Sequence, residues 1–94
     1  MINERDFLER AHVDRTTLEV WIREAWLYPD VTTPERSFTE MDLARARLIH
    51  DLKHNMGVND EGLDVILHLI DQMHGLRRAL AEALASVREK GSSV

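Results

Sequence analysis

Apolar side chains recur at Leu63, Ile66, Ile70, Met73, Leu80, Leu84 and Val87. These alternating steps of three and four keep one stripe along a helix. Arg77 stands where one more apolar residue falls due, and Leu67, Leu69 and Leu76 widen the stripe in its first half. Asn59 is placed as N-cap, with Val58 and Leu63 at the staple positions around it and Gly91 as the stop. The pattern predicts one helix over residues 59–90, roughly 45 Å long at about 1.5 Å per residue. The part before it is too small to cover such a rod, so some of the stripe is expected to meet another chain. Gly75, inside the rod, marks a place for a kink or a close crossing.

Upstream the periodicity is shorter. Asn3 caps a first helix over about residues 4–11, with Phe7, Leu8 and Ala11 inward. Asp14 caps a second over about 15–25, with Leu18, Trp21, Ile22 and Ala25 inward. Two short helices with a tight link make a helix-turn-helix pattern. Pro29 and Pro34 then forbid helix. Residues 31–33 and 36–38 suit two short strands, a small hairpin or wing. Thr39 caps a third helix with Asp42 at the capping-box position. Met41, Ala44, Leu48 and Leu52 are expected as its inner stripe, joined by Ile49 and Met56, and Asn55-Met-Gly57 ends it. The organisation expected is a winged helix-turn-helix over residues 1–57, a long helix over 58–90 and a disordered tail over 91–94. The fold class is mainly all-α, with only the wing in β structure.

Charge narrows the functional classes. The formal net charge is −5, and acids outnumber bases even within residues 1–54. Phosphate contacts supply most of the affinity of a nucleic-acid binder, so such proteins usually carry a basic surface. A basic protein partner suits this balance better. There is no cysteine, which rules out disulfides and thiolate metal sites and fits a reducing cytosol. No segment is apolar enough to cross a bilayer, and the charged start is not that of a signal peptide. A cytoplasmic protein is expected.

At this point the residues resemble a known family. Thr17-Leu-Glu-Val-Trp-Ile-Arg-Glu-Ala-Trp-Leu-Tyr-Pro29 is similar to the second-helix motif of MerR-type regulators, where Thr-Leu-Arg-Tyr-Tyr leads to Arg-Glu-Gly-Leu-Leu and a proline. Arg36-Ser-Phe-Thr-Glu-Met-Asp-Leu-Ala-Arg-Ala-Arg-Leu-Ile49 resembles the stretch after their wing, and Gly57-Val-Asn-Asp-Glu-Gly-Leu63 the turn into their next helix. The resemblance implies a winged helix-turn-helix of MerR type. It also implies an antiparallel dimer seam along the long helix, formed here by Leu63, Ile66, Ile70, Met73, Arg77, Leu80, Leu84 and Val87.

The departures fall where DNA would lie. Members that bind DNA carry Arg and Tyr where this chain has Glu19 and Val20. A lost arginine contact costs about 1–3 kcal/mol, and a carboxylate against a polyanion adds repulsion. Arg15, Thr16, Arg23 and Arg36 are the remaining residues suited to DNA. The family's usual glycine is Ala25.

A branch of the superfamily, the CbpM-type chaperone modulators, resembles this chain in length and in the lack of an effector domain. Its Leu-Ala-Arg-Ala-Arg-Leu-Ile helix and its Ile66-Leu-His-Leu-Ile-Asp segment are also similar. That resemblance implies binding to the J-domain of a DnaJ-like co-chaperone and restraint of its action on Hsp70. A J-domain offers its chaperone a basic helix, for which an acidic mimic would compete.

The partner-binding candidates are therefore Asp14, Glu19, Arg23 and Glu24, with an edge of Trp26 as anchor. The plainer reading of the charges is a solvated face, and of Trp21 and Trp26 a place in the core. Asp60, Glu61 and Asp64 read as charges favoured at a helix start. His50 and His54 have the i, i+4 spacing of a metal pair, but nothing nearby completes a site. No catalytic triad, phosphate loop or inward carboxylate pair is present. The expectation is a protein that is not an enzyme, with no cofactor, metal or small-molecule substrate. Its expected partners are a J-domain and a second copy of itself. The alternative is a dimeric MerR-type regulator bound to DNA.

Overall fold

A computed structural model describes residues Met1–Ser92, with side chains through Gly91. The order is β1 (Ile2–Asn3), α1 (Glu4–Ala11), α2 (Arg15–Arg23), β2 (Ser37–Phe38), α3 (Glu40–His54) and α4 (Asp60–Ser92). The fold is mainly helical with a small antiparallel sheet. The chain divides into two units, Met1–Leu63 and the helix from Asp64 onward.

Each helix starts at the cap its sequence marks. The Asp6 N–H donates to Asn3 Oδ1 at 2.8 Å, the Thr17 N–H to Asp14 Oδ1 at 2.7 Å and the Gly62 N–H to Asn59 Oδ1 at 2.8 Å. Thr39 and Asp42 close a full capping box. Each such cap contributes about 1 kcal/mol by satisfying an otherwise orphaned donor.

The helix ends depend on left-handed residues. Backbone at Ala25 has φ 61°. The Trp26 N–H reaches back to the Trp21 carbonyl at 2.9 Å and the Ala25 N–H to that of Ile22 at 3.0 Å. This is a Schellman closure, and it stops α2 at Arg23, two residues short of the periodicity. His12 (φ 57°) and Gly57 (φ 67°) turn the chain after α1 and α3.

The wing differs from expectation. Residues 31–33 form no strand. Instead β2 pairs antiparallel with β1, Ile2 opposite Phe38 and Asn3 opposite Ser37. A single bridge between Asp30 and Ser37 closes the loop at its base. Asp30 Oδ1 accepts from the N–H and hydroxyl of Thr32, and the Thr33 hydroxyl donates to the Glu35 carbonyl. Local side-chain bonds of this kind satisfy the loop without a ladder.

The core of the first unit holds Phe7, Leu18, Trp21, Trp26, Leu27, Phe38, Leu43, Ala46, Ile49 and Leu63. Phe7 stacks on Phe38 with centroids 4.1 Å apart. Each fully buried Leu or Phe is worth about 1.5–3 kcal/mol. The inner face of α3 is Leu43, Ala46, Ile49 and Leu52, not the Met41–Leu48 stripe. Met41 is 67% exposed, and Ala44, Leu48 and Met56 also face solvent. Two apolar stripes share that helix, and the seating of Phe38 and Leu43 in the core selects between them. Leu8 and Ile22 are half-buried, and Ala25 lies outside.

The long helix runs unbroken through Gly75 and passes Gly91, so Gly91 and Ser92 are helical rather than tail. Nothing lies within 4 Å of where a Gly75 Cβ would stand. Ser93 and Val94, the rest of the expected tail, lie outside the described residues.

Candidate interaction face on the second helix and the wing

An ion-pair network joins α1, α2 and the wing. The Arg36 guanidinium, on the wing just before β2, donates from one nitrogen to both Glu4 Oε1 and Glu19 Oε1. Arg15 Nη2 lies 3.2 Å from Glu4 Oε2. The chain of charges is thus Arg15, Glu4, Arg36, Glu19. The Arg36 side chain is 27% exposed and that of Glu19 44%. Hydrogen bonding by Arg36 holds the Glu19 carboxyl below its ordinary range, and the same bond raises the Arg36 guanidinium.

The candidates proposed from sequence fall into four groups. Glu19 sits in this network, while Glu24 is the exposed C-cap of α2 and Arg23 is exposed in its last turn. Asp14 accepts from the Thr17 N–H, which lowers its carboxyl, so its first task is the cap. Trp26 is only 2% exposed. It offers no ring edge to a partner, because the closure at Ala25 turns it into the core. Among the residues suited to DNA, Arg15 and Thr16 are exposed, but Arg15 and Arg36 already face carboxylates.

Glu4 was not marked by sequence. It starts α1, far along the chain from Arg36, and the pairing of β1 with β2 brings the two together. Arg45 was also missed. Its Nε donates to the Trp26 carbonyl and its guanidinium lies 5.7 Å from the Tyr28 ring centroid.

The seam needs one correction. Leu63 is fully buried and cannot meet another chain, because the first turn of α4 completes the core of the first unit. Leu67 is buried too, and Ile66 and Ile70 are half-buried. The exposed large apolar side chains of α4 among the described residues are Val65, Leu69, Met73, Leu76, Leu80, Leu84 and Val87, with Leu76 at 71%. Arg77 is exposed beside them.

The His50 and His54 rings lie 4.5 Å apart. Among the described residues no group of three His, Cys, Asp or Glu is arranged to hold a metal ion. Among them, too, no helix is long and apolar enough to cross a membrane.

Two helices joined by a tight turn, a loop closed by a β bridge and a capped third helix define a winged helix-turn-helix protein. The chain matches the MerR HTH family of regulatory proteins over residues 2–83, and it belongs to that family. No curated protein and no solved structure matches it.

Proposed function

We propose that this protein is a non-enzymatic chaperone modulator. It binds the J-domain of a DnaJ-like co-chaperone and restrains that protein's action on Hsp70. The observation that carries the reading is the network on the α2 face. A family member that grips DNA needs a continuous basic stripe across the second helix and the wing. Here Glu19 and Glu4 interrupt that stripe and occupy Arg36. With a net charge of −5, the mixed face suits a basic protein helix better than a polyanion. Arg23 and Glu24 extend the proposed contact. The exposed stripe of α4 supports a homodimer, with the antiparallel pairing implied by the family resemblance. A cytoplasmic setting goes with this role.

Titration against the host's J-domain proteins, beside a gel shift on the gene's own upstream DNA, tests the reading. Submicromolar J-domain binding and no retarded DNA at physiological salt are expected. Tight DNA binding at that salt, with no J-domain binding, makes the protein a transcription regulator instead. Glu19→Arg is expected to weaken J-domain binding about tenfold, about 1.4 kcal/mol, and to raise any residual DNA affinity. An unchanged J-domain affinity removes α2 from the interface.

A further inference from the structure

We infer that Arg36 is an internal competitor for the partner's cation: it occupies the seat between Glu4 and Glu19 that an incoming guanidinium or ammonium would take. This rests on the proposed basic partner and specifies how its site is controlled.

The seat is filled in the free protein. One Arg36 nitrogen donates to a carboxylate from α1 and to another from α2. Arg36 itself rides on a loop fixed at its base by the Asp30–Ser37 bridge, with N···O distances of 2.9 and 3.1 Å. The loop therefore presents a preorganised cation at low entropic cost. Arg15 lies on Glu4 from the solvent side, and its side chain is 73% exposed. The two cations and two carboxylates in contact cancel, and Arg23 adds a further positive charge near Glu19, so the field there attracts a basic helix weakly.

Removing Arg36 changes that balance. Of the groups in contact only Arg15 then faces the two carboxylates, and Glu4 and Glu19 are left as like charges beside an empty seat. Their mutual repulsion is then relieved by a cation from outside. Loss of Arg36 thus strengthens binding of a basic helix. The effect has the opposite sign for a nucleic-acid grip, in which Arg36 contacts phosphate and its loss weakens binding.

The test compares wild type, Arg36→Gln and the double variant Glu4→Gln/Glu19→Gln. Two probes are titrated, the host's J-domain and a helical lysine-rich peptide, at low and high salt. Thermal melts establish that all three proteins are folded. Arg36→Gln is expected to bind both probes roughly 3–10-fold more tightly at low salt, with the gain vanishing at about 1 M salt as screening sets in. The double variant is expected to bind both more weakly than wild type. Unchanged or weaker binding of the lysine-rich peptide to folded Arg36→Gln overturns the inference, whatever the J-domain does. If wild type ignores every J-domain while Arg36→Gln gains on the peptide, the proposed function fails and the inference stands.

Discussion

Ala25 occupies a backbone position that L-residues avoid, so replacing it by glycine is expected to stabilise the protein. At φ 61° its Cβ crowds the following carbonyl, which costs about 1–2 kcal/mol. Glycine removes that cost but adds freedom to the unfolded chain, worth about 0.4–1 kcal/mol. The net expected gain is about 0.5–1 kcal/mol. For a chain of this size it corresponds to a rise in midpoint of about 2–8 °C. Ala25 is exposed, so no packing contact is lost. The closure itself is kept, since both of its bonds use backbone atoms. Fluorescence is a direct monitor, because the two tryptophans flank the substitution and are both buried. Ala44→Gly, on the exposed face of α3, is the control. It is expected to lose about 1 kcal/mol from the ordinary helix preference. A midpoint for Ala25→Gly that is unchanged or lower refutes the claim that the left-handed turn after α2 is strained.

Further consequences concern other parts of the chain. Gly62→Ala is expected to destabilise by about 1 kcal/mol in urea titration despite alanine's better helix preference. Its Cβ would stand 2.8 Å from Val58 Cγ1 and 3.2 Å from the capping Asn59 Oδ1. The lowered carboxyls of Glu19, Asp14 and Asp30 stabilise the fold above their ordinary values of 4.5 and 3.8. The unfolded chain binds the extra protons, so stability falls as pH drops from about 4.5 downward, which acid melts will read. Glu19→Gln should flatten the upper part of that fall. Leu80→Glu is expected to leave the melt of the first unit in place while abolishing self-association in sedimentation experiments. A dimer that survives it does not use the exposed stripe of α4.

The helix starts were legible because each is a local event. Asn3, Asp14, Thr39 and Asn59 all cap through a donor three residues on, and such a pattern survives any tertiary arrangement. The stops were less so. The sequence shows an alanine, not a glycine, after α2, and only the glycine usual at that position of the family motif hints that Ala25 takes a positive φ. Conversely, Gly91 reads as a stop, yet the helix passes it. The wing failed for a different reason. Val31–Thr33 has strand-like composition, but the side-chain bonds of Asp30 and Thr33 turn the chain after the Asp30–Ser37 bridge, and the other edge of β2 pairs with Ile2–Asn3 across more than thirty residues, which no local window contains. Face selection on α3 failed for the same cause, since Met41/Leu48 and Leu43/Ile49 are both helical stripes and only packing distinguishes them. In the candidate site, the oddity of Glu19 was visible as a departure from the family motif, whereas its tie to Arg36 and Glu4 was not.

That tie bears on which partner this surface can take. Each phosphate neutralised on a duplex contributes a slope of about −0.9 to the dependence of log K on log salt. If Arg15, Arg23 and Arg36 all met phosphate, one protomer would bring a slope of about −2.7. Arg36 is held by two carboxylates and Arg15 leans on one of them, so both would first have to give up partners that are already charged. Releasing them returns two carboxylates to the neighbourhood of the same polyanion. The cost is therefore counted twice, once for the broken pairs and once for the repulsion that follows. A cationic helix also has to displace Arg36, but it takes that cation's place on the same carboxylates and so leaves no carboxylate facing a like charge. It finds the carboxylates in place and competes with the chain's own arginines, Arg36 on both and Arg15 on Glu4. On this surface Glu19 holds the wing's own cation away from a polyanion, and that is why the proposed partner is a basic protein.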